Sequence, residues 1–116
     1  MFLKNEWYVA CRADEITDKP LGRKICNEAM VFFRGPENAV SALEDFCPHR
    51  GAPLSLGRVC NGQLVCGYHG LVMGCDGHTL SMPGHKVRGF EPVKSFPVIE
   101  RYGFVWVWPG DASKVD

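Results

Sequence analysis

An all-β domain, a sandwich or barrel of short strands, is the fold predicted for this 116-residue chain. Short runs of β-branched and aromatic residues recur between turn residues, Gly-containing turn dipeptides separate neighbouring runs, and no long stretch repeats at helical period. Trp7-Tyr8-Val9 is the first run, and residues 10–19 after it leave room for one helical turn. Lys24-Ile25-Cys26, residues 29–34 and residues 39–43 follow as β-type segments. Asn61-Gly62 joins Val59-Cys60 to Gln63-Leu64-Val65 as a hairpin, because both central residues of a type I′ turn need positive φ. Asp76-Gly77 is expected to do the same between Leu71-Val72-Met73 and His78-Thr79-Leu80. Residues 93–99 and 104–108 bracket Arg101-Tyr102-Gly103 as a third hairpin. The apolar pattern ends at Pro109, so residues 1–110 are expected to form one domain and 111–116 a linker or frayed end.

Composition narrows the function. Basic and acidic residues balance at 13 each and are scattered, which gives no electrostatic bias toward nucleic acid. The longest apolar runs, such as residues 29–33 and 104–108, fall far short of the roughly 20 residues of a spanning helix, so no membrane partner is expected. The N-terminal residues carry both charge signs and no apolar core of a secretory signal, and a cytoplasmic location with reduced thiols is expected. Of the six cysteines, Cys11, Cys26, Cys60 and Cys75 lie at no metal-binding spacing and read as small structural hydrophobes.

Cys47 and Cys66 differ. Cys47-Pro48-His49 and Cys66-Gly67-Tyr68-His69 each offer one thiolate and one imidazole, in loops rich in Gly and Pro. Replacing both Cys ligands of one iron by His distinguishes a Rieske [2Fe–2S] centre from a four-thiolate cluster. The substitution matters electrostatically. Four thiolates leave the oxidised cluster dianionic, whereas two thiolates and two neutral imidazoles leave it neutral and easier to reduce. The potential moves from about −400 mV to the range of roughly −150 to +300 mV. One-electron transfer is the implied task. The same donor types also suit zinc, but zinc-finger ligands come as a Cys pair and then a His pair on a helix, whereas each motif here is mixed. A zinc-stabilised interaction module therefore stays as a lesser alternative, and a Cys47–Cys66 disulfide would leave both His unexplained.

The chain resembles the Rieske domain of Rieske non-haem iron ring-hydroxylating oxygenases. The likeness is carried by Asn5 to Ala10, Asp45 to Ser55, Cys66-Gly67-Tyr68-His69-Gly70 and Trp106-Val107-Trp108-Pro109-Gly110. Lys19 to Arg23 and Arg50 to Gly57 are most similar to the oxygenase subunits that demethylate vanillate. The resemblance implies a Rieske-type antiparallel β-sandwich with a small cluster-binding subdomain of two loops. It also implies that Cys47 and Cys66 hold one iron and His49 and His69 the outer, reducible one. A NAD(P)H-dependent flavin or ferredoxin reductase would supply electrons, and the catalytic domain of the same or a neighbouring subunit would receive them at a mononuclear Fe(II). That domain is absent from this chain, so the chain alone is expected to transfer electrons only, and a stand-alone Rieske ferredoxin is the alternative.

The respiratory branch of the family carries a disulfide between the loops and a Ser that donates to the cluster. The corresponding positions here are Ala52, Tyr68 and Leu71, which form neither link nor bond, so a potential near the low end of the Rieske range is expected. Ser81-Met82-Pro83-Gly84 resembles the loop that covers the cluster. His78 and His85 read as surface or turn residues. Arg50, Lys86 and Arg88 read as a solvated face, with a basic docking rim as the sharper alternative.

Overall fold

The strand-and-turn pattern folds into ten antiparallel strands, seen in a computed structural model that describes residues 3–48, 51–67, 70–82 and 91–115. The strands are β1 (Tyr8–Arg12), β2 (Leu21–Ile25), β3 (Glu28–Arg34), β4 (Val40–Glu44), β5 (Arg58–Cys60), β6 (Gln63–Val65), β7 (Val72–Met73), β8 (Thr79–Ser81), β9 (Val98–Arg101) and β10 (Phe104–Val107). They form three sheets, ordered β1-β10-β9, β2-β3-β4 and β5-β6-β7-β8. Among the described residues the only helical pieces are short 3-10 turns, one of them Ala13–Glu15 where a single turn is expected.

β3 explains how the sheets stack. Its centre, Met30-Val31-Phe32-Phe33, is fully buried, so this strand reads as a continuous apolar run rather than an alternation. Side chains on a strand alternate between faces. Met30 and Phe32 accordingly join Ala42, Val105 and Val107 in one core between β2-β3-β4 and β1-β10-β9. Val31 and Phe33 join Leu43, Leu64 and Met73 in a second core, against the sheet that carries β5 to β8. Arg34 closes the strand by reaching sideways. Its guanidinium donates to the carbonyls of Ala13 at 2.8 Å and Asn38 at 3.2 Å, and pairs with Glu100.

The turns follow the sequence with two departures. Asn61-Gly62 and Tyr102-Gly103 are left-handed pairs between the strand ends Cys60 and Gln63 and between Arg101 and Phe104, as type I′ hairpins require. Asp76-Gly77 is different. Only Gly77 has positive φ (88°), and the amide of Gly77 donates to the carbonyl of Gly74 at 3.1 Å, so the turn runs from Gly74 to Gly77. Asp76 instead accepts from the amide of His78 at 3.0 Å, which favours the wider loop over a two-residue turn. The second departure is a further hairpin between β2 and β3, through Cys26 (φ 51°) and Asn27 (φ 65°).

Cys11 and Cys26 are buried, as structural thiols should be. Cys60 and Cys75 are exposed, so the packing role expected of them is not theirs. Cys60 ends β5 beside the Asn61-Gly62 turn, and Cys75 lies within the turn between β7 and β8.

Candidate metal centre

β4 and β6 each deliver a cysteine to the loop that follows them, and the two loops have the same backbone design. The Cys47 amide donates to the Ala52 carbonyl at 2.8 Å, and the Cys47 carbonyl accepts from Gly51 at 2.7 Å. In the second loop the Cys66 amide donates to the Leu71 carbonyl at 2.8 Å, and its carbonyl accepts from Gly70 at 3.1 Å. Each loop thus folds back on its own cysteine and closes at a left-handed glycine, Gly51 at φ 75° and Gly70 at φ 73°. A side chain there would be strained, which is why glycine ends both motifs.

The two cysteines are 2% and 1% exposed and belong to the same apolar cluster, with Leu54, Leu64, Leu71 and Met73. A buried thiolate is costly unless a cation neutralises it. The apolar shell keeps water away from that charge, and a metal is the natural partner. No disulfide forms among the six cysteines. His49 and His69, with Arg50, Tyr68, Pro83, Gly84, His85, Lys86 and Arg88, lie outside the described residues. Leu71 is fully buried and offers only its backbone to the second loop.

His78 is where a turn histidine should be. It is exposed, with Nδ1 3.2 Å from the carboxylate of Asp76. The amide and side chain of His78 together hold the Asp76 carboxyl below the usual range, the amide contributing most. Sequence reasoning missed the residues that bring the loops together. A Cβ on Gly57 would lie 2.0 Å from the Val65 carbonyl oxygen, and one on Gly67 3.0 Å from the Leu56 carbonyl oxygen, so two backbones touch here. The signal was weak. A glycine after a 3-10 turn reads as an ordinary stop until its neighbour across the fold is known.

A cavity of about 740 Å³ is lined by Trp7, Ile99, Tyr102 and Trp106 among others and, among the described residues, shares none with either cysteine loop. It is not the metal centre.

Residues 6–97 match the Rieske [2Fe–2S] domain family. The chain belongs to this family. The Rieske domain is 69% identical to the vanillate O-demethylase oxygenase subunit of Pseudomonas sp. (strain HR199 / DSM 7063), over all of this chain and 33% of that protein. It is 45% identical to the oxygenase component of dicamba O-demethylase from Stenotrophomonas maltophilia, over 99% of this chain and 34% of that protein. The crystal structure of dicamba monooxygenase bound to dicamba superposes with a TM-score of 0.93 at 44% identity, over 99% of this chain and 35% of that one. The Rieske domain spans about a third of the length of the curated relatives it matches. The expected all-β fold and family resemblance are therefore borne out, and the zinc and free-standing ferredoxin readings are not favoured. Among the described residues no helix is long and apolar enough to cross a membrane.

The residues present fit the family's [2Fe–2S] group. Two buried cysteines stand at equivalent positions of two like-shaped loops, in one apolar cluster, and the sequence adds an imidazole two residues after the first and three after the second.

Proposed function

We propose that Cys47, His49, Cys66 and His69 ligate a Rieske [2Fe–2S] cluster and that this domain is the electron-transfer part of an oxygenase subunit. The observation that carries the reading is the repeated loop, with a buried Cys at its start and a left-handed Gly at its close. When bound, the cluster supplies one-electron transfer between an NAD(P)H-dependent flavin or ferredoxin reductase and a mononuclear non-haem iron in the catalytic domain of the same or a neighbouring subunit.

The protein's own share of the chemistry is positional and electrostatic. The closing bonds of each loop fix the direction of its cysteine before any metal arrives, so little conformational entropy remains to be lost on binding. The buried shell of Leu54, Leu64, Leu71 and Met73 excludes water and raises the cost of added charge. Leu71 offers no side-chain donor to offset that cost, which supports a potential near the low end of the Rieske range.

Residues 1–110 form the cluster domain in this reading, and 111–116 lead toward the catalytic domain. Vanillate is the substrate best supported, on the 69% identity to a vanillate O-demethylase subunit, with the methyl group leaving as formaldehyde after hydroxylation. The location is cytoplasmic, with no nucleic-acid or membrane partner. The test is anaerobic reconstitution of the chain, with iron and acid-labile sulfide analysis and electron paramagnetic resonance after reduction. Equal amounts of iron and sulfide with a Rieske-type signal are expected, together with reduction by a reductase and no consumption of vanillate. Colourless protein without sulfide would overturn the reading.

A further inference from the structure

Asp45 stands two residues before Cys47, and both of its carboxylate oxygens are used by a single residue on the far side of the first loop. Oδ1 accepts from the Ser55 amide at 2.7 Å, and Oδ2 accepts from the Ser55 hydroxyl at 2.6 Å. The Asp45 amide in turn donates to the Ala29 carbonyl of β3 at 3.0 Å, so the backbone that carries the carboxylate is anchored to this strand and does not float with the loop. The pair also has a roof. A Cβ on Gly22 would sit 2.9 Å from the Ser55 Oγ and 3.4 Å from the Asp45 Oδ2, so β2 passes directly over it. Among the described residues Asp45 forms no ion pair.

Ser55 lies in the 3-10 turn Leu54–Leu56, and this turn ends at Gly57. There the chain meets the second loop, with the Gly57 Cβ position 3.0 Å from the Gly67 amide nitrogen and 2.0 Å from the Val65 carbonyl oxygen. Gly67 follows Cys66 directly. A continuous path therefore runs from the residue that opens the first loop, through two short hydrogen bonds and one rigid turn, to the residue beside the second cysteine.

We infer that Asp45 is a positioning residue for the metal centre, setting the spacing between the Cys47 and Cys66 loops through Ser55. The inference rests on the ligand reading above and goes beyond it. Asp45 touches no reacting group. It acts by fixing the turn that both loops share, and the competing role is simple closure of one surface loop.

The experiment uses the cluster-loaded chain as wild type, Asp45→Ala, Ser55→Ala and Ser55→Thr. Three quantities are read: the rate of iron release to a chelator, the g-values of the reduced protein, and thermal unfolding of the metal-free chain. Asp45→Ala and Ser55→Ala should release iron on the order of tenfold faster and shift or broaden the g-values, as expected for losing charge-assisted bonds. Ser55→Thr keeps both donors and should stay near wild type. Ser55→Ala keeps the amide bond, so it decides the matter even where Asp45→Ala does not fold. Variants that melt lower yet release iron at the wild-type rate with an unchanged spectrum would overturn the inference and leave the ligand reading standing. Wild-type chain that takes up neither iron nor sulfide would remove both.

Discussion

Single residues carry much of the organisation near the two cysteines. Gly57 shows the cost of one methyl group, because its Cβ would have to occupy the space of the Val65 carbonyl oxygen. Backbone on both sides cannot step aside as a side chain would, and Gly57→Ala should destabilise the chain by about 3 kcal/mol in a denaturant titration. Carboxylates set the acid behaviour of two turns. Asp76 is held below its usual range mainly by the His78 amide, and Asp111 by the hydroxyl and amide of Ser113. A carboxyl depressed on folding contributes stability above its unfolded pKa, and that contribution fades as pH falls through the folded value. The amide proton shifts of His78 and Ser113 should accordingly move toward unstructured values only below about pH 4. Midpoints near neutrality would contradict both assignments.

At the scale of elements, hairpins were readable where residue type and backbone demand agree. Asn61-Gly62 was legible because both residues accept positive φ at little cost. Cys26-Asn27 was not, since cysteine has no preference for the left-handed region; the register of β2 against β3 imposes it, with Ile25 opposite Glu28. Asp76-Gly77 was read too narrowly because the dipeptide does not reveal that Asp76 spends its carboxylate on the His78 amide. In the same way the cysteine pair was visible as a motif, while the contact of Gly57 with Gly67 depends on two loops meeting in space. Tyr102 offers a test of the turn argument. It holds φ 59° while 83% exposed, with a contact to Arg101 across 6.0 Å as its compensation. Tyr102→Asn should relieve about 1 kcal/mol of left-handed strain and forfeit about half of that, raising the denaturation midpoint slightly.

The whole molecule divides into two cores separated by β3 and β4. Val31 and Leu43 face one, and Phe32 and Ala42 face the other. Only the first contains the two cysteines. Removing the metal should therefore raise amide hydrogen exchange in β5 to β8 and the two loops, while β1, β9 and β10 keep their protection. Uniform loss of protection across all three sheets would show that the cores do not open separately. The segment that holds Asn5 and Trp7 and the segment from Trp108 to Asp111 are joined independently of either loop. The Asp111 amide donates to the Asn5 side chain at 2.7 Å, a Cβ on Gly110 would meet the same oxygen at 2.0 Å, and the Trp7 and Trp108 rings meet edge to face at 5.6 Å. Entry and exit at one spot make the module portable: spliced into a surface loop of an unrelated host, it would need only a short tether on each side. Such a graft would plug in an electron relay without prying its carrier apart.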